Sequence, residues 1–250
     1  MKMTKKIALV TGGVGGIGSA ICRELADKGY KVIAGYHPAE EATAKERLKE
    51  WQAANVDADI VSGDVASFAS CAEMAQTIRE KHGTVQVLVN CAGITRDKTL
   101  KKMTEDDWNA VLSVDLNSLF NVTKQFIDGM TDAGFGRVIN ISSVNGKKGQ
   151  FGQTNYSAAK AGVHGFTMAL AQETARKGVT VNSVSPGYVE TAMTKAIPQE
   201  ISDQIVAQIP MGRMAQPAEI AYVVGVLVDE RAGYITGTNI SVNGGLFISF

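Results

Sequence analysis

The sequence predicts a doubly wound α/β domain, about seven parallel strands with helices on both faces, on three observations. Short apolar runs rich in Val and Ile recur along the 250 residues, amphipathic segments of helical length separate them, and no stretch of Pro, Ser or charge divides the chain. Near-continuous apolar strands are what a parallel sheet needs when both of its faces are covered. One domain over residues 1–250 is therefore expected.

The strands are read at Ile7–Val10, Val32–Ala34, Ile60–Val61, Val85–Val89, Val138–Ile141, Val179–Val184 and Ile240–Val242. The helices between them are read at Ile17–Lys28, Thr43–Ala53, Cys71–His82, Trp108–Met130, Ala158–Arg176 and Pro217–Asp229. Lys28-Gly29 and Lys177-Gly178 each place a cation and then a glycine where a helix should stop, and a Val-containing strand follows both. The weaker pattern over Thr191–Pro210, with Pro198 and Pro210 at its turns, reads as a helical lid over the carboxyl ends of the strands.

Composition removes several function classes. At 45% hydrophobic and 20% charged residues the chain is not disordered. No run approaches the roughly 18 apolar residues of a membrane span, and the Met1–Ile7 stretch carries no signal-peptide pattern, so a cytosolic protein is expected. Twenty-five Lys plus Arg balance twenty-five Asp plus Glu, which leaves no overall field to attract nucleic acid or an anionic membrane. Cys22, Cys71 and Cys91 are odd in number and widely spaced, which fits reduced thiols, and His37, His82 and His164 show no ligand spacing, so no metal site is expected.

The chemistry begins at Thr11-Gly12-Gly13-Val14-Gly15-Gly16-Ile17-Gly18, placed straight after the first strand and straight before a helix. Glycines permit close backbone approach, and a helix N-terminus offers free N–H groups and a positive dipole end to a pyrophosphate. The spacing differs from G-x-G-x-x-G, but the placement points to a dinucleotide and to a Rossmann-type sheet. No Gly-x-Ser-x-Gly elbow is present, which argues against a serine hydrolase.

Thr-Gly-x-x-x-Gly-x-Gly is the cofactor motif of the short-chain dehydrogenases/reductases, and the chain resembles that family along nearly its whole length. Gly63-Asp64-Val65, Asn90-Cys91-Ala92-Gly93, Ile141-Ser142-Ser143, Tyr156-Ser157-Ala158-Ala159-Lys160 and Pro186-Gly187 follow in the family's order. The resemblance implies a nicotinamide cofactor, NADH or NADPH, held by Gly12, Gly13, Gly16, Ile17 and Gly18, by Tyr36 where the second strand ends, and by Asp64 and Val65 at the adenine. Asn90, Ala92 and Gly93 are expected at its centre, with Tyr156 and Lys160 beside them, and Pro186, Gly187, Val189 and Thr191 at its carboxamide end.

It implies equally that Ser143, Tyr156 and Lys160 are catalytic. Tyr156 and Lys160, four apart on one helix, share a face. The ammonium is expected to lower the phenol's pKa from its usual value near 10, so that Tyr156 can give a proton to a carbonyl oxygen. Ser143, thirteen residues upstream, is expected to hydrogen-bond the same oxygen, while Ser142 should face away. Two positions depart from the family. Cys91 replaces an Asn, with little consequence expected. Asp115, twenty-eight residues before Ser143, replaces the family's active-site Asn; it is expected to act through its backbone carbonyl with its side chain secondary, the alternative being an ionised carboxylate beside Lys160 that opposes phenolate formation at Tyr156. Asn117, two helix positions on, should face elsewhere.

Within the family, the run from Asn140 to Tyr156 is most similar to reductases of short 3-oxoacyl thioesters of coenzyme A such as acetoacetyl-CoA, those of polyhydroxybutyrate synthesis, with reductases of acyl-carrier-protein thioesters next. Asp97, Lys102, Gln150, Phe151, Gln153, Gly187 and Tyr188, with Ser143 and Tyr156, are expected to line the substrate site. A homotetramer is implied, with Trp108–Met130 and Ala158–Arg176 between subunits. No Arg or Lys precedes Lys45 in the loop after Gly35, and Glu40 and Glu41 lie there, which favours NADH. A protein that senses NAD(P)H without turnover is the alternative, and an intact Ser143, Tyr156 and Lys160 argues against it.

Overall fold

A computed structural model describes residues 5–195 and 198–248. The seven expected strands are all present: β1 (Ile7–Thr11), β2 (Lys31–Tyr36), β3 (Ala58–Ser62), β4 (Val85–Asn90), β5 (Gly136–Ile141), β6 (Val179–Pro186) and β7 (Asn239–Val242). They form one parallel sheet in the order β3-β2-β1-β4-β5-β6-β7. The helices are α1 (Gly16–Asp27), α2 (Glu41–Ala53), α3 (Phe68–Lys81), α4 (Glu105–Leu112), α5 (Ser118–Asp132), α6 (Asn145–Lys148), α7 (Thr154–Thr174), α8 (Ala192–Lys195), α9 (Gln199–Ala207) and α10 (Pro217–Leu227). No described helix is long and apolar enough to cross a membrane.

The reason for two-sided burial is visible along β1. Ala8 and Val10 point into one apolar layer with Ile21, Cys22 and Leu25 of α1 and Ile220 and Val224 of α10. Ile7 and Leu9 point into the other, with Met74 and Ile78 of α3 and Val122, Phe126 and Met130 of α5. A period of two with both phases apolar leaves no polar face, and each fully buried side chain such as Leu9 contributes about 1.5–3 kcal/mol. The strand order reverses between β1 and β4, which opens a crevice beyond Thr11 and Asn90 where doubly wound sheets take their ligands.

Several boundaries differ from the sequence reading, among them the start of α7, which begins at Thr154 where Ala158 is expected. β5 begins two residues early because Arg137 is buried, its guanidinium 4.4 Å from the Phe135 ring centroid and donating to the Gly136 carbonyl. The helix expected as one piece over Trp108–Met130 is α4 and α5 joined by a π turn, Ser113–Asn117. The Thr191–Pro210 segment, expected as a helical lid, holds the two helices α8 and α9, with residues 196–197 outside the described residues.

Candidate active site

The glycine loop is shaped by contacts a side chain would block. A Cβ on Gly18 would lie 2.1 Å from the Gly12 carbonyl oxygen, and Gly12 takes φ +62°, where a Cβ would fall 3.0 Å from Ala92 Cα. Gly13 donates to the Gly35 carbonyl, and Ile17 packs on the core behind the loop. Thr11 closes the crevice from below: its hydroxyl accepts from the N–H groups of both Cys91 and Ala92, at 3.0 and 3.2 Å, tying the β1 end to the β4 end. Across the opening, a Cβ on Gly16 would meet the Thr191 methyl at 2.8 Å. The first turn of α1 has no side-chain cap. An uncapped helix start under bare backbone is the cradle a pyrophosphate requires, so these residues fit a dinucleotide.

The remaining predicted cofactor residues ring this crevice at the carboxyl ends of the strands. Tyr36 is buried at the end of β2. Asp64 accepts from the Ala66 N–H, and the Val65 carbonyl accepts from Asn121. Asn90 turns its side chain inward, donating to Thr123 and Asn140, so only its backbone is left for the crevice. Pro186 accepts from the Val144 N–H, Gly187 donates to Val242, and buried Val189 pairs with Ala215.

The catalytic candidates come from three separate elements. Ser143 follows β5, Tyr156 and Lys160 lie on α7, and Asp115 sits in the π turn. The Ser143 hydroxyl lies close enough to the half-buried Tyr156 phenol to lower its pKa, and it accepts from the Asn145 N–H at 3.1 Å. The Lys160 ammonium lies 5.5 Å from the centre of the Tyr156 ring and donates to the Ile141 carbonyl.

Asp115 departs from expectation. Its carboxylate accepts from the Ile94 N–H at 2.8 Å and stands 3.1 Å from the Lys160 nitrogen, with both side chains buried. The side chain is therefore directly engaged with Lys160, where the sequence reading held it secondary. A π turn carries an extra residue per turn, a feature recurrent at functional sites. Asn117 is exposed, as anticipated.

The electrostatics also correct the simple picture of a lowered phenol. Burial pushes Tyr156 up, Lys160 pulls it down, Asp115 pushes it up and Ser143 pulls it down, and the net direction is upward. For Lys160, burial works against the charge, but Asp115 and Tyr156 outweigh it and raise its pKa. Burial pushes the Cys91 thiol up to about 12, so it adds no charge to the site at neutral pH.

Of the substrate candidates, Gln153 donates to the Asp97 carboxylate at 2.7 Å and accepts from Asn145, and Asp97 acts on both Tyr156 and the half-buried Tyr188. Gln153 and Asp97 are thus joined directly, and Asp97 lies near enough to Tyr156 and Tyr188 for its charge to raise both phenols. Gln150 accepts from Lys148, Phe151 stands 88% exposed at the rim, and Lys102 is exposed in the turn after Thr99. The structure does not bring Lys102 to the phenol through any hydrogen bond or ion pair among the described residues.

Two supporting residues escaped the sequence reading. Asn155 is fully buried, accepts from the Tyr156 N–H at 2.8 Å and donates to the carbonyls of Arg96 and Asp107, fixing the start of α7 against α4. An Asn in a helix's first turn is the signal that could have found it. Ser142, which does face away from the crevice, donates to the Lys160 carbonyl at 2.9 Å and so anchors the helix that carries Tyr156 and Lys160.

Comparison with known proteins agrees with this geometry. The short chain dehydrogenase family model matches residues 6–202. The acetoacetyl-CoA reductase of Allochromatium vinosum is 58% identical over 97% of this chain and 99% of its own. That of Cupriavidus necator is 55% identical over 98% and 99%. The 3-oxoacyl-acyl-carrier-protein reductase of Pseudomonas aeruginosa is 44% identical over the full length of both chains. With the glycine loop at the sheet's switch point, Ser143 on the Tyr156 phenol and a family match across most of its length, the chain belongs to the short chain dehydrogenases.

Proposed function

We propose that the protein reduces the 3-oxo group of acetoacetyl-CoA to (R)-3-hydroxybutyryl-CoA with a nicotinamide cofactor. The observation that carries this is the Ser143–Tyr156–Lys160 cluster beside the glycine loop, together with 58% and 55% identity to two acetoacetyl-CoA reductases, against 44% to the acyl-carrier-protein enzyme. The bound cofactor supplies hydride to the carbonyl carbon. The chain does the rest: Ser143 and Tyr156 hydrogen-bond the carbonyl oxygen, Tyr156 gives it a proton, and the Lys160 ammonium stabilises the phenolate that remains. Asp97, Gln153 and Tyr188 form the wall against the acyl group, with Gly187 beside them, Gln150 and Phe151 at the rim and Lys102 outside it.

NADH is the favoured cofactor. Glu40 accepts from the His37 N–H and Glu41 pairs with Lys45 at 2.8 Å, so the two carboxylates are held within their own segment and the loop's nearest cation is already engaged. A 2′-phosphate entering beside Tyr36 would meet carboxylates and no free cation there. The reading takes residues 1–250 as one dinucleotide-binding and catalytic domain. It assembles as a homotetramer through the faces that leave Phe120 and Met168 exposed on α5 and α7.

The test follows NADH absorbance at fixed protein with acetoacetyl-CoA and, separately, with an acetoacetyl-acyl-carrier-protein thioester. A kcat/KM at least about tenfold higher for the CoA thioester is expected. A preference for the carrier protein would move the protein to fatty acid synthesis, and no turnover with either would favour a sensor.

A further inference from the structure

We propose that Asp115 is a positioning residue which, by a direct buried ion pair with Lys160, biases the site toward giving a proton to substrate rather than taking one. The inference rests on Tyr156 as proton donor.

The geometry leaves the carboxylate little other function. The π turn Ser113–Asn117 delivers Asp115 under Gly93, which is itself open to the crevice. A Cβ on Gly93 would fall 2.9 Å from one Asp115 oxygen and 3.5 Å from the Lys160 nitrogen, so the pair lies one backbone thickness below the cofactor crevice. One carboxylate oxygen is fixed by the Ile94 N–H at 2.8 Å. The other is buried and faces the ammonium at 3.1 Å, its close partner among the described residues. The ammonium in turn donates to Ile141.

Charge counting gives the consequence. With Asp115 ionised and Lys160 protonated the buried cluster is neutral while Tyr156 keeps its proton, and loss of that proton leaves a net buried negative charge. With a neutral residue at 115 the same loss takes the cluster from net positive to neutral. The second step is easier whether the proton leaves Tyr156 or Lys160, because the two titrate as a coupled pair. The other groups facing the cluster do not reverse this. Cys91 on the β4 side is neutral, its thiol pushed up to about 12. Asp97 on the wall adds a negative charge of the same sense. His164, further along α7 and reached through Ser142, is driven toward the neutral form by burial and by Lys147 on α6. Reduction requires the protonated phenol, so a site that holds its proton to higher pH keeps reducing to higher pH.

The experiment measures kcat/KM for acetoacetyl-CoA reduction against pH in the wild type and in Asp115→Asn. The alkaline limb is expected to fall about one pH unit lower in the variant. The ultraviolet phenolate signal of the cofactor-free proteins, each subtracted from its own Tyr156→Phe counterpart, should move by the same amount in the same direction. Asp115→Ser is a second neutral variant expected to shift the same way. Shifts below about 0.3 unit in both readouts overturn the proposal, and so does failure of both neutral variants to fold, which would make the carboxylate purely structural. A fully active Tyr156→Phe would remove the donor reading itself, separately from any behaviour at position 115.

Discussion

The two sides of the crevice are built by different means. The β1–β2–β3 side recognises through backbone: Gly12, Gly16 and Gly18 lie close in sequence, and what matters is the absence of atoms, such as the Cβ that would fall 2.1 Å from the Gly12 oxygen. The β4–β7 side gathers candidate side chains from the end of β5, from α7 and from the π turn, and what distinguishes it is charge, with Lys160, Asp115 and Tyr156 coupled in one cluster. A site made of absences is local and tolerant of its electrostatic surroundings. A site made of coupled charges depends on every group that packs against it.

The sharpest way to break this comparison is at the phenol. Tyr156→Phe keeps the ring over Lys160 and removes the proton, so turnover should fall by at least about a thousandfold while NADH still binds. Stopped-flow turnover and a fluorescence titration with NADH measure the two halves, and retention of even about a tenth of the activity, a loss of only about 1.4 kcal/mol, would refute the general-acid role.

On the backbone side, Gly18→Ala forces the loop open against the Gly12 carbonyl. Overpacking of this kind costs about 1–3 kcal/mol, so a lowered Tm and NADH binding weakened by about tenfold or more are expected. An unchanged Kd and Tm would show that the loop relaxes freely and that absence of atoms is not what defines that side.

A milder perturbation tests selectivity. Replacing both Glu40 and Glu41 with Arg should shift the ratio of kcat/KM for NADPH over NADH upward by about tenfold, since it frees Lys45 and adds two cations. Wild-type protein that already prefers NADPH tenfold would contradict the reading.

The smallest effect lies away from the crevice, in the cap of α4. Thr104 and Asp107 cap the helix reciprocally, and hydrogen bonds from Lys98 first and then Thr104 hold the Asp107 carboxyl down to about 2. A depressed carboxylate stabilises the fold above its unfolded value near 4, and that contribution is lost as pH falls toward 2. Asp107→Asn should therefore lower Tm modestly at pH 7 and show a flatter loss of Tm between about pH 4 and 2 than the wild type. Parallel acid melting curves for the two proteins would contradict it.

The strands, the glycine loop and the Tyr156–Lys160 pair were legible because each is written in neighbouring residues: apolar runs on both phases of a strand, glycines at a βα turn, and a four-residue spacing along one helix. Arg137 was not, because a buried cation is readable only once Phe135 and the carbonyls around it are in place. Nor were Asn155 and Ser142, whose partners on α4, its preceding loop and α7 lie 18 to 59 residues away.

Asp115 marks the boundary most clearly. Sequence alone put a carboxylate at position 115, where the family resemblance implies an amide, and led to the expectation that Asn117 faces elsewhere. Only the tertiary structure decided that the carboxylate meets Lys160 at 3.1 Å, because the π turn that aims it arises within an otherwise regular helix and its partner lies 45 residues further on, on another element. Periodicity reports which side of a helix faces inward. The energy of two buried charges depends on their separation and on the water excluded around them, and both are properties of the packed fold.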